Sequence, residues 1–363
     1  MVWVKALLFT LGGLVVGAAA VILALYLDNG PMQQLLGTPM QTQTQSTSTT
    51  TGSIEQASTP APLSESELPP VEKFNTIPKA TFYKDRVAVL MYHDISPTQK
   101  GGDIITPDLF ASQLDFLRSK GMNFISLNDF RSYMKGGSVP ENAVLVTFDD
   151  GYENFYTTAF PIMQERNISG VSFVITGDFS KNAIVNTPHM TKQEITDMIQ
   201  ADPKMEVQPH TNHLHYKTSE TTDALTAPLV KNGVEETPQQ YLARITQDLT
   251  TCVDSLKPLN EHPIDTFAYP YGLYTPEVEQ VVKDAGIQHA FTTTLGLAKR
   301  DDNPFAIPRI NGGSPLVSPQ RLFASIYWET KQPGHNLYIP DSVQHSGRED
   351  IGSVDVHDTD VHK

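Results

Sequence analysis

The stretch AVLVTFDDGYENF, residues 143–155, decides the fold class of this sequence. Its first six residues are apolar or β-branched, which is typical of a fully buried strand in a parallel sheet. Asp149, Asp150 and Gly151 follow directly. Parallel α/β folds bind their ligands at the carboxyl ends of strands, so this is a position where chemistry is expected. A turn that caps the next helix would use the same residues, and the stretch alone leaves both interpretations open.

The composition of the chain excludes some classes of function. Its 363 residues carry a formal net charge of −15. Without a basic patch that could release counterions, nucleic-acid binding is not expected. The single cysteine, Cys252, excludes an internal disulfide, and its place beside apolar helix positions favours a buried thiol over a catalytic one.

The N-terminal segment predicts export of the rest of the chain. Residues 6–27 contain no charge and are long enough to span a bilayer. Lys5 precedes this segment and Asp28 follows it, which places the N-terminus inside and the remainder outside. We favour an uncleaved anchor over residues 1–27, with a cleaved signal peptide as the alternative.

Three further regions follow the anchor. Residues 28–80 are rich in Thr, Ser, Gln and Pro, which is typical of a disordered linker. Residues 81–335 form the predicted folded domain. Residues 336–363 are a polar, acidic tail for which disorder is also expected.

Strands and helices alternate through the predicted domain, whose length suits a (β/α) barrel. Strands are predicted at RVAVLMYH, NFISL, VLVTF, GVSFVIT, MEVQPHT, IDTFAYPYG and HAFTTT. Helices are predicted after the caps Thr106, Thr191 and Thr275, over residues 152–166, and along an apolar stripe of Leu242, Ile245, Leu249, Val253 and Leu256. The predicted fold class is therefore α/β, with a parallel sheet closed or nearly closed into a barrel.

Polar side chains follow four of the predicted strands. They are His93 and Asp94, Asp149 and Asp150, the histidines His210, His213 and His215 in HTNHLH, and the segment YPYG. The carboxyl ends of barrel strands meet on one face, so these groups should converge. Two imidazoles and one carboxylate are a common ligand set for catalytic zinc. A second carboxylate and another histidine could then transfer protons.

Three of these segments resemble the motifs of the polysaccharide deacetylases, carbohydrate esterase family 4. They are TFDDG, HTNHLH and FAYPYG, and the resemblance covers about residues 87–330. It implies a distorted or incomplete (β/α) barrel of the NodB homology type. It also implies that Asp149 is the general base and that Asp150 is a metal ligand.

The second motif departs from the usual family spacing. The family places its two histidine ligands at i and i+4, but the residue four after His210 is Leu214. The spacing i and i+5 resembles the branch that acts on poly-β-1,6-N-acetylglucosamine. It favours His210 and His215 as ligands, with His213 as the alternative.

Two other family positions also differ. Ala268 stands where the family has the arginine that braces the catalytic aspartate, and Arg309, in IPRINGG, is a candidate replacement. The early strand that ends in His93 resembles a circularly permuted arrangement, which makes His93 the general acid. Asp94 would orient His93 or cap the turn that follows it.

The third motif is assigned to the substrate side of the site. The resemblance implies that Tyr271 donates its backbone N–H to the oxyanion, with Pro270 beside it. A general acid, a general base, a ligand set and an oxyanion donor together predict metal-dependent hydrolysis of an amide bond.

The predicted function is therefore N-deacetylation of an extracellular N-acetylglucosamine polymer, most simply poly-β-1,6-N-acetyl-D-glucosamine of a biofilm. Peptidoglycan, chitin and xylan are alternative substrates, and a silent carbohydrate-binding module is a rival of another class. Zn²⁺ is the expected cofactor, with Co²⁺, Ni²⁺ or Fe²⁺ as alternatives. The expected partners are the polysaccharide, the membrane through the N-terminal helix, and an exopolysaccharide synthase. The expected location is the cell membrane, with the catalytic domain outside, or secretion if the N-terminal segment is cleaved.

Overall fold

The computed structural model describes residues 71–179 and 187–334 of the chain. Within these ranges eight parallel strands form one sheet, and two short strand pairs lie outside it. In chain order the strands are β1 Val87–Tyr92, β2 Asp94–Ile95, β3 Ile104–Ile105, β4 Asn123–Phe124, β5 Ala143–Phe148, β6 Gly170–Val174, β7 Glu206–Pro209, β8 Val230–Lys231, β9 Val234–Glu235, β10 Thr266–Ala268, β11 His289–Leu295 and β12 Ile307–Asn311. The pairs β2–β3 and β8–β9 are the two outside the sheet.

Helices alternate with the strands, as the sequence predicts. In chain order they are α1 Pro107–Ser119, α2 Leu127–Met134, α3 Phe160–Glu165, α4 Lys192–Ala201, α5 Pro238–Leu256, α6 Pro276–Asp284 and α7 Pro319–Lys331. The predicted caps Thr106, Thr191 and Thr275 each accept a hydrogen bond from the first turn of their helix. These caps satisfy backbone N–H groups that have no partner within the helix.

The strand order is β10-β11-β12-β1-β5-β6-β7, and β4 pairs with the start of β5. All of these pairs are parallel. β7 and β10, at the two ends of this order, lie side by side. The sheet is therefore a nearly closed barrel, which confirms the predicted α/β class and the incomplete (β/α) barrel.

Alternate residues of each strand contribute to two different cores. Val89, Leu145 and Phe173 belong to the cluster inside the barrel, whereas Leu90 and Val146 pack outward against the helices. β1 and β5 are buried along their whole length. A strand that is buried on both faces needs apolar residues at consecutive positions, which explains the unbroken runs VAVLMY and AVLVTF.

Helix α2 closes the amino-terminal end of the barrel and was not predicted. The sequence predicted a strand at NFISL, but only Asn123–Phe124 pairs with β5. Ser126 and Asp129 form a capping box that starts α2 immediately afterwards. The cap satisfies backbone donors that a longer strand would have paired, so the helix begins inside the predicted strand.

The predicted helix over residues 152–166 is also modified. Its first part, Phe155–Ala159, is a π-helical turn in which the Phe160 N–H donates to the carbonyl of Phe155. Helix α3 follows and contains Pro161 near its start. Proline cannot donate to the preceding turn and its ring crowds that turn, so the wider turn accommodates it.

Helix α5 follows the predicted stripe except at its first position. Leu242 is 40% exposed, whereas the neighbouring Tyr241 is 7% exposed and packs in the core. The prediction for Leu242 was wrong because the larger ring fills that place. Cys252 is fully buried, and burial raises the pKa of its thiol to about 12. A thiol in that state is protonated and unreactive, as expected from the sequence.

The folded part begins before the predicted boundary at residue 81. A 3-10 helical turn, Val71–Asn75, brings the Phe74 ring to 6.0 Å from Phe323 of α7. The predicted anchor, the linker up to residue 70 and the acidic tail lie outside the described residues. Among the helices that the structure describes, none has the length and apolar character needed to cross a membrane.

One buried histidine gives the folded domain a defined dependence on pH. His289 begins β11 and lies beside Phe130 of α2. Burial lowers the pKa of its imidazole from 6.5 to about 4. As the pH falls, the unfolded chain therefore takes up this proton before the folded one does. The free energy of unfolding should decrease between pH 6.5 and about 4, by at most about 3.5 kcal/mol from this group.

Urea unfolding across this pH range would test the assignment. The variant His289→Gln cannot titrate, so its stability should fall less steeply than that of the wild type. His213 is exposed, so the control His213→Gln should retain the wild-type slope. Equal slopes for wild type and His289→Gln would show that His289 does not carry this effect.

Candidate active site

The strand register places His93 beside Asp149. β1 and β5 pair in parallel with Tyr92 opposite Phe148, so the next residues on each strand are neighbours at the barrel mouth. His93 Nε2 lies 4.0 Å from Asp149 Oδ2. The side chain of Asp149 is almost fully buried, whereas that of His93 is 21% exposed. The imidazole is therefore the member of the pair that a substrate can reach.

Asp150 turns toward the same site because its backbone leaves the strand conformation. Its φ is 72°, in the left-handed region, and that of Gly151 is 80°. Strand alternation would have sent adjacent side chains to opposite faces. A Cβ at Gly151 would lie 2.8 Å from Val174 Cγ1, so this turn requires glycine. The sequence DDG thus brings both carboxylates to one end of the barrel.

Asp150, His210 and His215 form a group that could hold a metal ion. One ligand atom from each lies within 4.8 Å of the others. Asp150 Oδ1 is 3.5 Å from His210 Nε2 and 3.3 Å from His215 Nε2. One carboxylate oxygen and two imidazole nitrogens suit a divalent cation such as Zn²⁺ and leave room for a further ligand.

His213, the alternative ligand, does not join this group. Its side chain is exposed, and its backbone N–H donates to Asp248 Oδ2 at 2.7 Å. Asp248 also accepts from the N–H of Asn212 at 2.8 Å, so this α5 residue supports the loop that carries the histidines. Sequence reasoning missed Asp248, although an acidic residue between Ile245 and Leu249 of the apolar stripe was an available signal.

A contact outside the group fixes the orientation of the His210 imidazole. His210 Nδ1 lies 2.7 Å from the carbonyl of Ala268, so this nitrogen carries the proton and Nε2 faces Asp150. A hydrogen bond of this kind orients the ligand and selects its tautomer.

Thr211, the residue after His210, has a strained backbone. It is fully buried with φ of 78°, which is uncommon for a β-branched residue.

Charges and burial set the ionisation of these groups. Burial alone would raise the pKa of both aspartates. At Asp149 the charge of Arg309 outweighs the effect of burial, so the pKa of that carboxyl is lowered. At Asp150 the histidines have the same effect and hold the pKa well below its usual value. Burial lowers the pKa of His215 to about 4. Burial also opposes protonation of His210, but Asp150 and Asp149 outweigh it and raise that pKa. At neutral pH the site therefore offers two carboxylates and a neutral His215 imidazole.

Arg309 pairs with Asp149 in a two-pronged ion pair. Its two terminal nitrogens each lie 2.7 Å from one carboxylate oxygen of Asp149. Its Nε donates to the carbonyl of Thr292 at 2.9 Å, and the side chain is fully buried. This arginine belongs to β12, whereas the family position is occupied by Ala268 of β10. The candidate brace thus reaches Asp149 from the other side of β1.

The third motif forms a tight turn against the histidines. Pro270–Gly272 is a 3-10 turn in which Tyr271 has φ of 57° and Gly272 has φ of 72°. The Tyr271 ring lies 4.7 Å from that of His215, with the two planes at 37°. A Cβ at Gly272 would lie 2.6 Å from the Thr293 nitrogen, so glycine is required there. The turn therefore holds Tyr271, through its ring, beside the candidate ligand His215.

The side chain of Asp94 contacts the segment after β5 and is not a hydrogen-bond partner of His93 Nδ1. Its Oδ1 accepts from Asn154 Nδ2 at 2.8 Å. His93 Nδ1 is buried and has no hydrogen-bond partner among the described residues. Asp94 therefore links the segment after β1 to the segment after β5 through a side-chain contact, which is neither of its two predicted roles.

Comparisons with known proteins agree with this geometry. Residues 136–290 match the family described as Polysaccharide deacetylase. A poly-beta-1,6-N-acetyl-D-glucosamine N-deacetylase of Staphylococcus aureus is 29% identical over 206 residues, which cover 57% of this chain and 67% of the relative. The protein of the same name from Staphylococcus epidermidis is 24% identical over 246 residues, which cover 64% and 81%.

Solved structures share the fold. IcaB from Ammonifex degensii has a TM-score of 0.56 and 27% identity, and the match covers 68% of this chain and 97% of that one. A de-N-acetylase from Aggregatibacter actinomycetemcomitans has a TM-score of 0.56 at 24% identity, over 62% of this chain and 94% of that one. The nearly closed barrel, the motif residues at its mouth and these matches lead to one conclusion. This chain carries a polysaccharide deacetylase domain, which the family model matches over residues 136–290, and it is similar to polysaccharide N-deacetylases, which are hydrolases that act on amide bonds.

Proposed function

We propose that this protein removes N-acetyl groups from poly-β-1,6-N-acetyl-D-glucosamine in a reaction that depends on a divalent cation. The observation that carries the proposal is the joint geometry of the site. The three candidate ligand atoms lie within 4.8 Å of one another, and Asp149 and His93 stand 4.0 Å apart next to them. Amide hydrolysis needs a base, an acid and an electrophile within this reach.

Asp150, His210 and His215 are the residues that would hold the cation. Their oxygen and nitrogen donors suit Zn²⁺ first, with Co²⁺, Ni²⁺ or Fe²⁺ as alternatives. When bound, the cation would polarise the acetyl carbonyl and lower the pKa of a water molecule to about 7.

Asp149 and His93 would carry the two proton transfers. Asp149 takes the proton of the attacking water, and Arg309 keeps its carboxylate ionised and correctly turned. His93, partly exposed at the mouth, gives a proton to the amine nitrogen as the C–N bond breaks. The amide and one water become acetate and a free amine. Each such proton transfer contributes about 10²–10⁴-fold to the rate.

The oxyanion that develops on the acetyl group needs a further donor. The Tyr271 backbone N–H, in the strained turn beside His215, is the donor we assign. A fixed backbone donor needs no reorganisation during the reaction, which is why such groups are effective. Pro270 begins this turn, and its restricted φ helps to keep the following residue, Tyr271, in place.

The choice of polymer rests on the relatives and on the strand order. Two staphylococcal relatives are named as deacetylases of the β-1,6-linked polymer. His93 precedes the first motif along the chain, as the sequence resemblance to that branch implies. The same chemistry on peptidoglycan, chitin or xylan is the nearest rival. A silent carbohydrate-binding module would have no use for the Arg309–Asp149 pair or for the three-ligand group.

We also propose that the domain works outside the cell, attached to the membrane through residues 6–27. Deacetylation gives the polymer positive charge, and a charged polymer is retained on anionic cell surfaces. A tethered enzyme close to an exopolysaccharide synthase would meet the polymer as it emerges. If the N-terminal segment is cleaved, the enzyme would instead be secreted.

Substitution of the histidines should separate the ligand from its neighbour. His215→Ala removes one of three donors, so the affinity for Zn²⁺ should fall by more than about 100-fold. His213→Ala, two residues away and outside the group, should bind as the wild type does. Titration of metal-free protein against a competing chelator measures both. The opposite ranking would assign the site to His213.

Acetate release tests the reaction and the substrate together. The full-length protein should release acetate from a β-1,6-linked N-acetylglucosamine oligomer, and a chelator should stop the release. Asp149→Asn should lose at least about 10²-fold in rate while still binding the metal. Release from only a β-1,4-linked oligomer would discard the proposed polymer, and no release from either by metal-loaded protein would contradict the deacetylase proposal.

Among the tyrosines next to the motifs, Tyr274 is the one best placed to stack on a sugar. Of the tyrosines next to the motifs, Tyr92, Tyr152 and Tyr269 are at most 3% exposed, whereas Tyr274 is 39% exposed and stacks on Tyr269. Tyr274→Ala should raise KM by about 3- to 10-fold with little change in kcat. Tyr274→Phe keeps the ring and should behave as the wild type. An unchanged KM in Tyr274→Ala would remove Tyr274 from the sugar-binding surface.

A further inference from the structure

The barrel has an open seam between β10 and β7, the two strands at the ends of the sheet order. β7 and β10 lie side by side, but no backbone ladder joins them in the part of the chain that the structure describes. Positions 206, 208 and 210 lie two residues apart along β7 and its extension, so their side chains face the same way. Gln208 and His210 contact residues across the seam directly, and Glu206 is linked across it through Arg131, which also pairs with Asp265.

Gln208 bridges the middle of the seam. Its Oε1 accepts from the backbone N–H groups of Asp265 at 3.2 Å and Thr266 at 3.1 Å. Its Nε2 donates to the carbonyl of Pro263 at 3.0 Å and to Glu206 at 3.2 Å. The side chain is fully buried. Both amide hydrogens and both lone pairs are therefore used, which holds β7 at one distance from the start of β10.

Arg131 holds the amino-terminal end of the same seam. Its Nε donates to Asp265 at 2.6 Å, and its two terminal nitrogens each donate to Glu206 at 2.8 Å. Arg131 comes from α2, which closes the barrel below. The ion pairs fix where β7 and β10 begin, and Gln208 fixes how closely they continue.

His210 ends the seam at the barrel mouth. Its Nδ1–H donates across the seam to Ala268, which lies three residues before Tyr271. The separation of β7 and β10 therefore determines where the candidate ligand His210 stands relative to the oxyanion donor Tyr271. A displacement of about 1 Å at such a site can reduce the rate by about 10²-fold.

We propose that Gln208 is a positioning residue of the deacetylase centre, which sets His210 and the Tyr271 turn at their working distance by closing the seam. This inference rests on the proposed function, since it takes His210 as a ligand and Tyr271 as the oxyanion donor. Gln208 acts through its neighbours and does not touch the substrate. A purely structural glutamine would affect only the stability of the fold.

Two substitutions at Gln208 separate these roles. Gln208→Met keeps the approximate volume but removes the bridge to Asp265 and Thr266. Gln208→Glu keeps an acceptor for both N–H groups but places a second carboxyl beside Glu206, which is unfavourable for stability. If Gln208 positions the site, Gln208→Glu should retain metal affinity better than Gln208→Met even where it melts at a lower temperature.

Gln113 provides a matched control. It is also fully buried, and its amide bonds Tyr92, Gly312 and Val317, away from the seam. Gln113→Met should therefore lower the melting temperature without changing metal affinity.

Co²⁺ titration of the metal-free full-length proteins, with melting temperatures measured alongside, tests the inference. Gln208→Met should bind Co²⁺ about tenfold more weakly than the wild type and show an altered Co²⁺ absorption spectrum. Wild-type affinity and spectrum in Gln208→Met, or an affinity loss in all three variants that simply follows their melting temperatures, would overturn the inference alone. A wild-type protein that binds no Co²⁺ would overturn the proposed function and this inference with it.

Discussion

Asp149 and Arg309 face each other in an almost fully buried ion pair, and the site depends on this contact. A carboxylate inside an apolar barrel would otherwise take up a proton, because burial disfavours its charged form. Arg309 also turns the carboxylate through two parallel hydrogen bonds of 2.7 Å. The pair is possible because β12 and β5 flank β1 in the sheet. The same order places His93, at the end of β1, beside Asp149, with its Nε2 4.0 Å from the carboxylate.

The sequence predicted which residues belong to the site better than it predicted the contacts between them. The apolar runs and the caps were enough to locate most strands and helices, because each depends on neighbouring residues. Arg309 was only a candidate partner of Asp149, because their contact depends on the order β12-β1-β5, which joins positions far apart in the chain and has no local signal. Local competition explains the misplaced strand at NFISL, where the capping box of Ser126 starts a helix instead.

Strained backbone is common to the three motifs. Asp150, Thr211 and Tyr271 all have positive φ, at 72°, 78° and 57°. For a threonine or a tyrosine this conformation costs free energy, and it persists only where the surrounding contacts impose it. Around this site those contacts are the side chains across the β7–β10 seam, Asp248 under the histidine loop, and the glycines that allow the turns. Sequence motifs record the residues but not these imposed conformations.

The proposed function requires one divalent cation to bind at the barrel mouth between Asp150, His210 and His215. Anomalous diffraction from crystals of the protein loaded with Zn²⁺ tests it most directly. We expect a single strong peak within about 2.0–2.2 Å of the carboxylate oxygen and the two Nε2 atoms. A peak at His213, or no peak at this group in crystals shown to contain zinc, would contradict it.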